Sequence, residues 1–585
     1  MKKLKSALLL CLCFSVKMHA DVSLSAVSWL GGSGDNDRVV GTVIQPDGKI
    51  VLAANISDAQ SGGVQPALLN GATDTSGGAI VVLSADGKSV VSVTRLAGEI
   101  MDMAIDSDDN IYLAAAHDGI LKLASGIDAV SWSNSDIYGL RIDVGNDGTV
   151  AVLDNAKTLT VLDASGSQLG SKKFGDTEVN DVCVASAQRF VIVLGFNNKH
   201  TGRPCPGHNN CPVQVAFIRA FDYACSTMQW EDYNWPGPWL DNEEPDHTYG
   251  NHMADTRGYR AFIAGDGNLY CAFETAGGNH MFRRDPKDIT KSAPIVGGDF
   301  WHNFYNSKSE HKTFFARYEP ANGEYLLGQQ FHTRYCAQEN DCKCGGNTAF
   351  VRDGNIYVDD AGCVYLVGAS ASGLPIPEFS NCKNFTMPEG GFAYNPFDGN
   401  VYTGGAYILI MSPGLDKRLY CTRLSGGATR AVAVSAGNNG ATTVVWAGNV
   451  SKLGTDHTSN PEWLLDTHNP LQPDRAGGEG EGFFAVMNAD FGSMAVDMEK
   501  NARLSSSGTF IIKRNKLSRQ AQLILHDLRL DAQTISVFDH QGRCLSTESV
   551  NNGSAAIRLH GETIRSYVIR IGYANGKKQH FRLVQ

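Results

Sequence analysis

Histidine, arginine and carboxylate side chains that could share one ligand crowd the middle of the chain. His252 stands near Asp255, Arg257 and Arg260, His280 near Arg283, Arg284 and Asp285, and Asp299 near Trp301 and His302. A guanidinium fork matches a carboxylate or sulfate through two parallel hydrogen bonds, so this mixture suits an acidic ligand. In a catalytic reading, His252 and His280 are the acid and base of an extracellular lyase or hydrolase acting on an acidic polysaccharide, and Arg257 and Arg283 neutralise the substrate. In a structural reading, the same residues form an ion-pair network that braces loops. A second group is aromatic and acidic: Trp230, Tyr233, Trp235, Trp239 and Tyr249 among Glu231, Asp232, Asp241, Glu243, Glu244 and Asp246. Indole faces can stack a sugar ring while carboxylates accept its hydroxyl protons, and clustered oxygens can hold calcium. Trp235, Trp239, Tyr249, Trp301 and His302 are therefore the candidate ligand-binding residues. The competing role of such aromatics is to pin a long loop to a rim.

No familiar catalytic signature is complete in the sequence. There is no Gly-x-Ser-x-Gly elbow, no His-Glu-x-x-His, no phosphate-binding Walker loop and no dinucleotide fingerprint after a strand. Asp106-Ser107-Asp108-Asp109-Asn110 lacks the sixth-position Gly and terminal Glu of a calcium loop, and reads as an acidic hairpin turn. No cofactor is expected beyond that possible calcium, and no metal ligands are assigned. The reading leans away from an enzyme.

The first twenty residues bound the compartment. Lys2, Lys3 and Lys5 precede an apolar stretch over 7–16, and small Ala20 precedes Asp21, the three-part pattern of a secretory signal peptide. About ten apolar residues are too few to span the ~30 Å hydrocarbon core, and no later stretch approaches ~18, so no transmembrane segment is expected. The chain carries 14 cysteines. Without Cys11 and Cys13 the number stays even, which in an exported protein points to disulfides. Cys205 and Cys211, flanking a turn-rich segment, are the expected local bridge. Cys336, Cys342 and Cys344 could be zinc ligands, although disulfides fit the compartment better. Cys183 and Cys271 lie in apolar strand patterns and are expected as buried thiols.

The elements that must position these residues are repeated. The chain has 585 residues, too many for one ordinary domain, and 63 glycines, which imply many tight turns. Lys and Arg total 50 against 61 Asp and Glu, a net charge of −11 with no long basic run, so nucleic acid is not an expected partner. Short β-runs broken by Asp-Gly or Asn-Gly turns recur. The clearest unit is 39–44, turn 46–49, 50–54, then 79–83, turn 85–88 and 90–96, a four-stranded antiparallel sheet. Its first hairpin returns near 110, 148, 188, 266, 360 and 439, making seven units. The last lacks a fourth strand, which 22–30 would supply, closing a ring and removing exposed edges. Residues 21–490 are thus expected to form a seven-bladed β-propeller. The long insertions 55–78, 197–212, 276–311, 370–404 and 448–480 fall between second and third strands, and 231–256 and 332–347 between blades. All would emerge on one face, the candidate functional face.

Gly31-Gly32-Ser33-Gly34-Asp35 with Gln45-Pro46-Asp47-Gly48-Lys49-Ile50, and Asp360-Ala361-Gly362-Cys363-Val364-Tyr365-Leu366-Val367-Gly368, resemble the bacterial secreted β-propeller repeats of the SBBP type. That resemblance implies a propeller and no chemistry. Beyond 490 the composition shifts to a polar linker at 491–508. Runs at 522–525, 534–538, 555–559, 566–571 and 580–584 then suggest a small C-terminal β-sandwich, Ig-like, over 509–585. Ile535-Ser536-Val537-Phe538-Asp539-His540-Gln541-Gly542-Arg543, Tyr567-Val568-Ile569-Arg570-Ile571 and the closing Phe581-Arg582-Leu583-Val584-Gln585 resemble the sorting domain of bacterial type IX secretion cargo. Ser566 and Arg582 depart from that pattern. The resemblance implies the type IX secretion machinery as a partner and an outer-membrane exterior location. The expectation is a secreted or surface-displayed binding protein for an extracellular glycan or surface protein, with the enzyme above and a structural envelope protein as alternatives.

Overall fold

The structure, a computed structural model, describes residues 21–57, 64–69, 71–73, 77–175, 177–201, 212–234, 255–275, 281–288, 291–293, 312–331, 349–370, 405–415, 418–425, 427–436, 442–451, 465 and 467–490. In the C-terminal region it describes the strands 509–515, 520–526, 532–538, 544–549, 555–559, 566–573 and 578–584. The leader 1–20 and the linker 491–508 lie outside the described residues.

Seven four-stranded antiparallel units follow one another, each ordered from an inner strand a to an outer strand d. Blade 1 is Arg38–Ile44, Ile50–Asn55, Gly78–Leu83 and Val90–Arg95. Blade 2 is Ile100–Ile105, Ile111–Ala115, Gly119–Leu123 and Val130–Asn134. Blade 3 is Gly139–Val144, Val150–Asp154, Thr158–Leu162 and Gln168–Lys173. Blade 4 is Thr177–Ala185, Phe190–Thr201, Pro212–Asp222 and Met228–Asp232. Blade 5 is Thr256–Ile263, Leu269–Thr275, Lys312–Glu319 and Glu324–Phe331. Blade 6 is Ala349–Val358, Val364–Ser370, Gly405–Met411 and Arg418–Ser425. Blade 7 takes Ala428–Ala436, Thr442–Ser451 and Gly480–Asp490 from the end of the ring and its outer strand, Asp21–Leu30, from the beginning. Asp21 pairs with Asp490 and Leu30 with Gly482. Each inner strand packs against the inner strand of the next blade, blade 7 against blade 1 included, so the ring is closed. It is a seven-bladed β-propeller, as the repeat predicts.

The apolar pattern explains the closure. The b strands are buried on both faces, and alternate side chains belong to different cores: Ile50, Leu52 and Ala54 face blade 7, whereas Val51 and Ala53 face blade 2. A strand's period of two therefore divides one continuous apolar run between two neighbours. Every blade-to-blade interface holds such a cluster. The a to b turns are closed by aspartates. Asp106 accepts hydrogen bonds from the Asp108 and Asn110 amides at 3.0 and 2.9 Å and from the Tyr112 hydroxyl at 3.0 Å. Asp359 does the same with the Cys363 amide and the Tyr365 hydroxyl, both at 2.8 Å. The acidic turn at 106–110 is thus a structural hairpin. Its left-handed position is filled by Asp109, where Gly48 and Gly362 serve the turns of blades 1 and 6.

The outer edges of blades 7 and 1 are covered by their own b to c insertions. Val27 exchanges backbone hydrogen bonds with His468 at 2.7 and 2.9 Å, and Ala67–Leu68 pairs in parallel with the outer strand of blade 1. In the C-terminal region, Thr509–Asn515, Gln520–His526 and Ala555–Leu559 form one antiparallel sheet. Cys544–Ser549, Ala532–Phe538, Ser566–Tyr573 and Lys578–Val584 form another. Two strands exceed the sequence expectation. Cys544–Ser549 is polar and sits at a sheet edge, where an apolar run is not required, and Thr509–Asn515 follows directly on the Ser-rich linker.

Candidate functional site at the mouth of blades 4 and 5

The inner strands surround the central channel, and each carries a register shift, between Ile100 and Asp102, Gly139 and Arg141, Val179 and Asp181, and Gly258 and Arg260 in blades 2 to 5. A bulge re-aims the next side chain. The residues after these four bulges alternate in sign around the ring: Asp102, Arg141, Asp181 and Arg260. Asp102 accepts a hydrogen bond from the Ile142 amide at 3.1 Å and Asp181 from the Ala261 amide at 2.9 Å. Asp143 accepts one from Val184 at 2.7 Å. Each carboxylate therefore straps its blade to the next. Burial pushes the carboxyl of Asp102 up to about 6, opposed by Arg141, and that of Asp143 up to about 7, opposed by the Val184 amide. Burial lowers the Arg260 guanidinium to about 10. Arg260 donates to the Tyr259 and Arg352 carbonyls at 2.6 Å each and to the Gly354 carbonyl.

Arg257, two residues before the blade 5 bulge, occupies the mouth. Its Nη2 is 2.8 Å from Asp255 and its Nη1 3.9 Å from Glu274, while Nε donates to the Gln214 side chain of blade 4. Its guanidinium lies 5.9 Å from the Phe196 ring centroid. Glu274, 1% exposed, also receives a fork from Arg352 at 3.0 and 2.8 Å. Burial raises the Glu274 carboxyl, and Arg352 and Arg257 oppose that. Arg352 in turn lies 6.0 Å from the Tyr259 ring. The result is a fixed chain of alternating charge from Asp255 across to blade 6. The bulge at Gly258 separates Arg257 from Arg260, so the two arginines of the sequence cluster serve different neighbours.

The described ends of three long segments meet here. The segment 202–211 leaves and returns within blade 4. The segment 235–254 runs from Asn234 to Asp255, and the blade 5 insertion starts after Thr275. The Gln214 amide donates to Asp255 at 3.0 Å and the Ala216 amide to the Thr256 hydroxyl at 3.0 Å, tying these ends together. Trp235, Trp239, Tyr249, His252, His280, Trp301, His302, Cys205 and Cys211 all lie outside the described residues, and so do Cys336, Cys342 and Cys344. Arg283 closes a short 3-10 turn, Met281–Arg283, and its side chain is also outside them.

Two aromatics of the acidic and aromatic group do not face a ligand. Trp230 and Tyr233 belong to the core between blades 4 and 5. There the Trp230 indole donates to the Pro320 carbonyl at 2.9 Å and the Tyr233 hydroxyl meets that of Tyr318 at 2.8 Å. They pin the chain, the alternative role weighed for them. Cys183 and Cys271 are buried free thiols in that core, as their strand patterns predict. Cys225 and Cys363 are buried free thiols as well, where the even count pointed to disulfides. Their partners in space are apolar side chains, and burial pushes the Cys225 thiol up to about 11, away from the reactive thiolate. Among the described residues no group of three or more His, Cys, Asp or Glu is placed to hold a metal ion, and no helix is long and apolar enough to cross a membrane.

Glu274, Arg352, Asp102, Asp143 and Asp181 were not singled out from sequence. For the three aspartates the available signal was a lone charge inside a short apolar run, as in Met101-Asp102-Met103, recurring on the first strand of successive units. No protein-family model matches the chain, and no curated protein matches it. Among solved structures it is similar to the crystal structure of BamB from Moraxella catarrhalis, at 10% identity and a TM-score of 0.34, covering 80% of this chain and 100% of that one.

Proposed function

We propose that the protein is a secreted or surface-displayed binding protein that takes an extracellular polysaccharide or surface partner on the insertion-bearing face of its propeller. One observation carries this reading: the long insertions fall at connections on one face of the ring, and the described ends of three of them meet around the fixed charges of Arg257, Asp255 and Glu274. The opposite face is closed by short Asp-capped turns that leave little to vary. Function on repeat scaffolds tends to concentrate where the loops are elaborated. In this reading Trp235, Trp239, Tyr249 and Trp301 stack sugar rings, and His302 supplies a polar contact. Arg283 meets acidic substituents, while Arg257, held by Asp255, Glu274 and Gln214, keeps the loop bases in place so that little order is lost on binding. The leader at 1–20 exports the chain. The C-terminal strands form a sandwich that the type IX machinery recognises.

The test is binding of the mature chain to arrays of acidic and neutral glycans, with Trp239→Ala and His252→Ala alongside. Loss of a stacking residue at the centre of the site should weaken binding on the order of tenfold or more. Turnover of any bound glycan, abolished by His252→Ala, would replace the binding function with the lyase or hydrolase. Neither binding nor turnover would leave a structural envelope protein.

A further inference from the structure

The described part of the blade 5 insertion, 281–288 and 291–293, packs back on blade 4. Met281 and Phe282 are fully buried, and Ala293 nearly so, in the core between the two blades. The Phe282 ring stacks on Phe314 at 4.4 Å and touches Phe273 at 4.8 Å and Tyr233 at 5.3 Å, and Met281 sulfur accepts from the Thr256 hydroxyl at 3.0 Å. The next residues form a small closed loop, bridged between Arg284 and Ser292, whose turn is capped by Asp285. Its Pro286 carbonyl accepts from the Tyr233 amide at 2.9 Å, directly beyond the outer strand of blade 4. Beside that bond, Lys287 Nζ reaches Asp232 Oδ1 at 2.7 Å and lies 5.5 Å from the Trp230 ring. Asp232 is fully buried, and its Oδ2 has no hydrogen-bond partner among the described residues.

We propose that residues 281–288 and 291–293 form a strap that positions the blade 5 insertion against blade 4, with Phe282 as its plug and Lys287 on Asp232 as its latch; the binding function above enters only as what the strap serves. A purely decorative loop would not send two of its side chains into an inter-blade core and a third to a buried carboxylate. By holding these residues, the strap fixes Met281 and Ala293, the described points on either side of which the insertion continues.

The groups facing Asp232 define how the latch responds to pH. Lys287 is the cation; Asp285 on the strap and Glu231 on the same strand are like charges, Glu231 being paired with Arg219 at 2.6 Å. Tyr233 and Cys271 face it with protons that burial retains. Burial raises the Asp232 carboxyl to about 7 against the pull of Lys287. Release of the strap returns it to water and to the ordinary carboxylate range, so docking takes up a proton and weakens as pH rises through about 7.

Hydrogen exchange of the full chain, corrected for intrinsic rates, reads this directly. Amides in 281–288 and 291–293 should lose protection between pH 6 and pH 8 in the wild type. Asp232→Asn should be equally protected at both, and Lys287→Met should lose about tenfold at pH 8, the ratio that ~1.4 kcal/mol represents, with the melting temperature of the ring unchanged. Absence of the pH effect in the wild type, or its persistence in Asp232→Asn, overturns the latch. Affinity for polygalacturonate, an acidic polysaccharide probe, should fall with the Lys287→Met opening; an open strap with unchanged affinity overturns the positioning role. If neither protein binds this probe, the acidic-glycan function fails while the exchange result still decides the strap.

Discussion

Blades 2 and 3 and blades 4 and 5 follow the same recipe in their strands and differ at their margins. In blades 2 and 3 the b and c strands are joined by tight turns, between Ala115 and Gly119 and between Asp154 and Thr158. Their shared core is mostly aliphatic, built from residues such as Ile120, Val150, Val152 and Leu162. In blades 4 and 5 the same junctions carry long insertions, and the core between them is aromatic: Trp230, Tyr233, Phe273, Phe282, Phe314, Tyr318 and Tyr325. The difference teaches that burial of alternating strand residues constrains what lies inside a blade and hardly limits what joins b to c. An insertion that is to be positioned must then contribute to a core itself, as Met281 and Phe282 do. Large rings suit this, since they bury much area per residue and can stack on one another.

The comparison can be broken most severely at the closure. Deleting residues 21–30 removes the outer strand of blade 7 together with buried Val27 and Trp29, and should abolish a single cooperative melting transition. Survival of blades 4 and 5 to protease while blades 2 and 3 are digested would show two separable halves. Smaller damage should distinguish the two cores. Phe273→Ala is expected to cost about 3–5 kcal/mol and Leu162→Ala, between blades 2 and 3, about 2–5 kcal/mol, measured by denaturant unfolding. Equal losses would show that the aromatic core has no special share in stability.

A pH titration separates the channel from the rims. The folded Asp143 carboxyl, raised to about 7, lies above its unfolded value, so its contribution to stability is fully present below the ordinary carboxylate range and is lost as pH rises through about 7. Asp102, raised to about 6, acts in the same sense one step lower. The melting temperature should therefore rise on going from pH 8 to pH 6, and Asp143→Asn should flatten that rise; an unchanged slope would count against its burial in the channel wall. The smallest effect is expected at the turn face. Tyr112→Phe, which removes the hydroxyl donated to Asp106, should cost about 1 kcal/mol by thermal melting. A similar loss from Tyr365→Phe would show that the Asp and Tyr corner is one repeated device in otherwise different blades.

The ring is legible in the sequence wherever a turn is marked by Asp-Gly, as at Asp47-Gly48 and Asp147-Gly148, because glycine accepts the left-handed conformation these hairpins need. It is harder to see in blade 4, where Arg189 takes that conformation without glycine. The candidate site is only partly legible. Arg257 and Asp255 are neighbours in sequence and in space. Gln214 and Glu274 join them only because blade 4 lies against blade 5 and because b strands pair with a strands. Trp230 and Tyr233 share composition with the nearby ligand candidates, and residue type alone does not tell a rim aromatic from a core one.

What the sequence by itself determines is local and periodic: apolar alternation sets the strands, turn chemistry sets the hairpins, and their count with one strand displaced to the N-terminus sets a closed ring of seven. Only the tertiary structure decides which polar groups are buried and with whom. The straps from Asp102, Asp143 and Asp181 to the next blade, the Glu274 forks and the Lys287 latch on Asp232 each join residues from different strands or blades. Such partners are chosen by ring geometry and by the cost of leaving a buried charge without a neighbour, and neither quantity is carried by any one stretch of chain.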